Sequence, residues 1–179
     1  MWECPDFFPL GEKYVLVISP QDMQADGGEF HNGNQAAALI GEYDRKNHRL
    51  QEEQVISLDY GTDFYAPQTL ETEDGRRIMI AWMHSWDMDI KPAGQRWNGM
   101  MTIPRQLTLR DNCLYQEPVE ELKKYRTDPV VYTGREISGR CQLPDIRGRV
   151  LDLTVELQEG DYREFTISFA GNEKYHTSF

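Results

Sequence analysis

The chain opens Met1-Trp2-Glu3-Cys4-Pro5-Asp6-Phe7-Phe8, which sets a carboxylic acid between a tryptophan and a cysteine ahead of a proline. The proline reads as a turn that releases an aromatic strand. Apolar neighbours disfavour a carboxylate's charged form, so an acid held there can keep its proton near neutral pH and deliver it to a leaving group. Glu3 is therefore the candidate general acid. Local chemistry alone does not single it out among 30 acidic residues, because a glutamate beside a tryptophan is more often a rim or strand-end residue.

A second stretch echoes the first: Asp59-Tyr60-Gly61-Thr62-Asp63-Phe64-Tyr65-Ala66-Pro67-Gln68-Thr69-Leu70 again runs acid, aromatic, small residue, proline, strand. Pro5 and Pro67 lie 62 positions apart. Such an echo suits sheets that each present the start of an inner strand to a shared cavity, as propeller blades do. On its own it also fits a common turn-to-strand boundary.

Four motifs follow one another in order: Trp2-Glu3-Cys4-Pro5-Asp6-Phe7-Phe8; residues 60–69; Ile80-Ala81-Trp82-Met83; and Trp97-Asn98-Gly99 leading into Thr102-Ile103-Pro104-Arg105-Gln106-Leu107. Together they cover roughly the first 125 residues and resemble glycoside hydrolase family 32, the invertases, levanases and sucrose-6-phosphate hydrolases. The intracellular bacterial sucrose-6-phosphate hydrolases look most similar. The resemblance implies an all-β fold: a partial five-bladed β-propeller (its later blades), a short linker helix and the first strands of a β-sandwich. It tips the echo towards the blade reading. It also implies that Glu3 is the catalytic acid/base, that Asp63 hydrogen-bonds the sugar, that Tyr65 lines the pocket and that Trp82 is the substrate platform. Asp59 is a weaker candidate for the same neighbourhood.

The same resemblance marks what is missing. The family is retaining, with a nucleophilic Asp in a Trp-Met-Asn-Asp-Pro-Asn-Gly stretch and a transition-state-stabilising Asp in Arg-Asp-Pro. Neither stretch occurs here; the nearest pieces are Arg110-Asp111-Asn112 and Thr127-Asp128-Pro129. Retention requires two carboxyl groups roughly 5 Å apart. The expectation is a fragment of a retaining β-fructofuranosidase with both partner acids upstream of residue 1, cut at both ends and inactive alone. The rivals are a non-catalytic carbohydrate-binding module and half of a complemented enzyme. In the last case unpaired blade edges would invite self-association or a complementing chain.

Composition bounds the remainder. A length of 179 residues with 39% hydrophobic and 27% charged content is ordinary for a domain with a core of its own. The net charge of −11 argues against nucleic acid, whose phosphates need clustered Lys and Arg. No apolar run approaches the ~20 residues of a membrane span. Cys4, Cys113 and Cys141 have no CxxC pairing, and His31, His48, His84 and His176 are scattered, so neither a disulfide framework nor a metal is expected. No cofactor is expected either; the partner is a fructoside sugar. A reduced, cytoplasmic bacterial setting follows from cysteine usage and more strongly from the resemblance.

Residues 14–19, between Gly11 and Pro20, read as a buried strand, and residues 20–34 as a long Gly-rich loop. Residues 35–41 read as a strand whose alanines suit a crowded sheet stack, with helix as the alternative. Residues 42–51 read as turn-like and residues 53–58 as an alternating strand. Asp74-Gly75 reads as a hairpin turn into residues 76–83. Trp82, Trp86 and Trp97 hint at sugar stacking, with core packing assigned to at least one of them. Residues 87–99 read as a loop. Pro104 demotes residues 100–109 to an edge or bulged strand, and Arg105 reads as a buried ion-pair partner for an acid of a neighbouring blade. Residues 118–125 read as a helix with acids early and lysines late. The strict alternation in residues 151–157 and 163–169 reads as sandwich strands. The expected domains are residues 1–116, the linker 117–128 and residues 129–179.

Overall fold

A computed structural model describes residues 1–88, 93–171, 174 and 176–179. The chain divides into two units, Met1–Leu122 and Lys123–Phe179. The first consists of two four-stranded antiparallel sheets, each a simple meander. One sheet holds β1 (Trp2–Leu10), β2 (Lys13–Pro20), β3 (Ala37–Asp44) and β4 (Arg49–Ser57). The other holds β5 (Tyr65–Glu71), β6 (Arg77–Trp82), β7 (Arg105–Arg110) and β8 (Cys113–Pro118).

The run in β2 is apolar on both faces because both are covered. Val15 and Val17 bury completely on one face with Phe8, Ala38 and Ile40, and against Phe64, Met79, Ala81 and Leu107 of the second half. Ile18 and Leu16 pack on the other face under Phe30, Met23 and Leu39. The alanines 36–38 are buried, and their small side chains let the sheets close on one another. Two successive meanders packed face to face, with first strands β1 and β5 in contact, are the blades of a β-propeller.

Gly41 shows how closely β3 and β4 approach. It follows a register shift after Ile40, and a Cβ there would stand 2.0 Å from the backbone oxygen of Gln51. Gly41→Ala is therefore expected to cost about 2 kcal/mol, as overpacking of a rigid backbone neighbour does, and urea unfolding would measure it. A stability unchanged within error would show that β4 simply moves aside.

Several local expectations need correction. Pro5 does not turn the chain: β1 runs through it from Trp2 to Leu10, and the irregularity is a bulge. The turn-like stretch 42–51 is mostly strand, with only residues 45–48 turning. Pro104 precedes β7 rather than demoting it, so the missing N–H falls outside the ladder and β7 stays central. The helix at 118–125 is a 3-10 helix, Glu120–Tyr125, with no buried residue, and Pro118 ends β8 instead. Six residues without an apolar face to bury do not sustain an α-helix. Of the loop at 87–99, residues 89–92 lie outside the described residues.

Among the described residues the second unit holds one two-stranded pairing, β9 (Ser168–Phe169) with β10 (Thr177–Ser178), extended by mutual backbone bonds between Ile167 and Phe179. Residues 151–157 form no strand. Their apolar set, Leu151, Leu153, Val155 and Leu157, remains about half exposed, because an alternating pattern needs a facing sheet to bury its apolar side.

Candidate functional site

The echo seen in the sequence is an echo of backbone. In β1 the pairing advances three residues from Glu3 to Asp6 against two from Ser19 to Val17; in β5 it advances three from Tyr65 to Gln68 against two from Trp82 to Ile80. Each strand thus carries one extra residue directly before its proline. Those residues, Cys4 and Ala66, have positive φ of 47° and 50°. Such bulges disrupt the ladder locally and re-aim a side chain, and proline is tolerated because both strands lie at sheet edges.

The two re-aimed side chains meet. The Tyr65 hydroxyl donates to Glu3 Oε2 at 2.7 Å, and Gln21 Nε2 donates to the same oxygen at 2.9 Å. These bonds, led by the one from Tyr65 and joined by Trp86, hold the Glu3 carboxyl below the ordinary glutamate range against the opposing effect of burial. The expectation of an acid kept protonated by apolar neighbours is corrected accordingly. Trp2 is largely exposed, and what surrounds the carboxylate is a set of donors. Tyr65 is buried, and burial first, then Glu3, pushes its phenol up to about 12, so it remains a donor at neutral pH.

Three further bonds tie the blades together around this pair. Thr69 donates both its backbone N–H and its hydroxyl to Asp6 Oδ2, each at 2.7 Å, and Ala66 N–H donates to Ser19 Oγ at 3.1 Å. Beside them lies an aromatic group. Trp82 pairs with Tyr65 across the ladder and meets Trp86 edge-on with ring centroids 6.0 Å apart; Trp86 lies 6.3 Å from the Tyr65 ring. His84 stacks on Trp82 at 4.9 Å. Gly99, at φ +71°, admits the loop backbone against the indole: a Cβ there would fall 2.6 Å from Trp82 Nε1.

Glu3, Tyr65 and Trp82 are thus brought together, whereas Asp63 lines a different feature. It borders a cavity of about 230 Å3 with Thr62, Phe64, Thr102 and the ion pair of Arg105 with Asp59, 2.8 Å long. Arg105 is half-buried, lies over the Phe64 ring and donates to Gln116, so its partner acid comes from the link between the blades. None of the three tryptophans is fully buried; Trp86 and Trp97 are more than half exposed. Sequence reasoning left two groups without a role, Gln21 and Asp6. Trp86 belongs to the tryptophan cluster read as a hint of sugar stacking; Gln21 and Asp6 carry no local signal.

Among the described residues no group of three or more His, Cys, Asp and Glu could hold a metal ion, and no helix is long and apolar enough to cross a membrane. Cys4, Cys113 and Cys141 are free thiols.

The family description "Glycosyl hydrolases family 32 N-terminal domain" matches residues 1–118. A sucrose-6-phosphate hydrolase of Bacillus subtilis is 45% identical over 129 residues, which are 70% of this chain and 27% of that protein. One from Staphylococcus xylosus is 36% identical over 164 residues, covering 92% of this chain and 33% of its own length. A solved β-fructofuranosidase of Bombyx mori superposes with a TM-score of 0.64 at 34% identity, covering 73% of this chain and 28% of that one. The chain spans about a third or less of these relatives' lengths.

Proposed function

The chain belongs to glycosyl hydrolase family 32, and from that premise we propose that it carries the acid/base portion of a retaining fructoside hydrolase acting on sucrose, sucrose-6-phosphate or a fructan. The observation that supports this most is the hydrogen bond from Tyr65 to Glu3, formed between two matching bulges beside Trp82 and Trp86. Glu3 would protonate the oxygen leaving the fructosyl carbon, and as the conjugate base it would activate water against the fructosyl-enzyme ester. Trp82 and Trp86 would offer aromatic faces to the ring's C–H side, and Asp63 would bind a hydroxyl.

The Glu3 carboxyl is held below its ordinary range by its donors, Tyr65 first. A second carboxylate placed roughly 5 Å away would push it upward, because like charges disfavour the ionised form. Glu3 alone cannot both attack and protonate, so the purified chain is expected to show no turnover of sucrose or sucrose-6-phosphate above a blank. A rate near that of an intact enzyme, abolished by Glu3→Gln, would overturn the reading of a lone acid/base.

A second reading is favoured by the apolar surface around β1 and β4, where Phe7 and Val55 are each about 40% exposed. Such a surface fits a complementing chain or self-association. Sedimentation at several concentrations tests it: a strictly monomeric species throughout counts against self-association.

A further inference from the structure

Between β2 and β3 the loop turns through Phe30, a buried non-glycine residue at φ +61°, a conformation held only when its surroundings over-determine it. The surroundings are the link that leaves β4. Phe30 N–H donates to Ser57 Oγ at 3.0 Å, Ser57 N–H to Glu29 Oε2 at 2.7 Å, and the Tyr60 hydroxyl to Glu29 Oε1 at 2.6 Å. Asn32 Nδ2 donates to the carbonyls of Gly61 and Thr62, both at 2.8 Å. This seam fixes the residues that lead to Asp63 and Tyr65.

A cavity of about 40 Å3 lies in the seam, lined by Phe30, His31, Asn32 and Gln35 from the loop, by Ser57 at the end of β4 and by Asp59 and Tyr60 from the link. Gln35 is 4% exposed, and its Nε2 finds no hydrogen-bond partner among the described residues. A buried amide donor normally has an acceptor. We propose that this cavity is a binding site for one ordered water, which accepts from Gln35 Nε2 and donates across the seam to Asp59. The space, about 40 Å3 and bordered by the exposed Tyr60, admits water and is well below the several hundred Å3 of a small-molecule pocket. Polarity agrees, since a buried water makes about three hydrogen bonds and Ser57 Oγ–H and His31 stand beside the carboxylate. The site is independent of the hydrolase reading and acts on the link between blades.

A high-resolution crystal structure of the whole chain tests it, with Gln35→Met and Gln35→Glu prepared alongside. One density peak within hydrogen-bonding distance of Gln35 Nε2 and Asp59 is expected. In Gln35→Met, which keeps the volume and removes the donor, that peak is expected to vanish and Tm to fall by roughly 3 °C. Gln35→Glu, which turns the donor into an acceptor beside Asp59, is expected to lower Tm further. The inference is overturned if the wild-type amide instead bonds a protein acceptor, if the density fits an ion, or if the peak survives in Gln35→Met; the wild-type structure decides even if neither variant folds.

Discussion

In a chimera that places residues 1–118 in the matching segment of the Bacillus subtilis sucrose-6-phosphate hydrolase, Glu3→Gln is expected to lower kcat by roughly 10²- to 10⁴-fold. Gln keeps the shape and still accepts from Tyr65 and Gln21 through its amide oxygen, so the change removes the proton rather than the scaffold. The loss should fall on kcat and leave KM nearly unchanged, because the proton moves only as the glycosidic bond breaks. A fructosyl donor with an acidic leaving group needs less protonation and should recover much of the cleavage step. Should KM rise while kcat holds, Glu3 would be a binding group. Should neither change, the acid lies elsewhere in the fold.

How much of this was legible in the sequence depends on the kind of interaction. Strand β2 announced itself through a β-branched run between Gly11 and Pro20, and the hairpin into β6 through Asp74-Gly75, which are local properties. The repeated acid-aromatic-proline pattern located Glu3 and Tyr65, but as echoes rather than partners. Their contact spans 62 positions and exists only because each strand takes the same extra residue at positive φ. No residue type demands that conformation at Cys4 or Ala66, so the bulges were read as a turn. The sign of the Glu3 shift was missed for the same reason: donors arriving from Gln21 and Tyr65 are invisible to its neighbours in sequence. Asp63, close to Tyr65 in sequence, borders the cavity of the Arg105–Asp59 ion pair, a surrounding assembled from distant residues that its sequence neighbours do not announce. The alternation in 151–157 was a true pattern whose expression requires a facing sheet.

Tyr65 can be taken apart in two steps. Tyr65→Ala, at one of the largest fully buried side chains, is expected to destabilise the first unit by about 3–5 kcal/mol, the range for deleting a buried aromatic ring. Tyr65→Phe keeps the ring and removes the hydroxyl that donates to Glu3 and lies 3.3 Å from the Ser19 carbonyl, and should cost only about 1 kcal/mol. Its larger effect is on titration. Folding lowers the Glu3 carboxyl below its unfolded value, so its contribution to stability is complete above the ordinary glutamate range and is lost as pH falls through the depressed value. Without the phenol the principal cause of that depression is gone, with Gln21 and Trp86 remaining, so the stability lost on acidification should be smaller and its loss complete at a higher pH. Carbon-13 titration of the labelled glutamates measures the shift, and urea unfolding across acid pH measures its consequence. In the wild type the phenol works from the basic side, because its raised value of about 12 means that the contribution of the protonated form holds below the ordinary tyrosine range and fades as pH climbs through the folded value. A Glu3 titration unchanged in Tyr65→Phe would show that the hydrogen bond is not what favours the carboxylate, and the coupling between the two bulges would have to be abandoned even if Tyr65→Ala proved as damaging as expected.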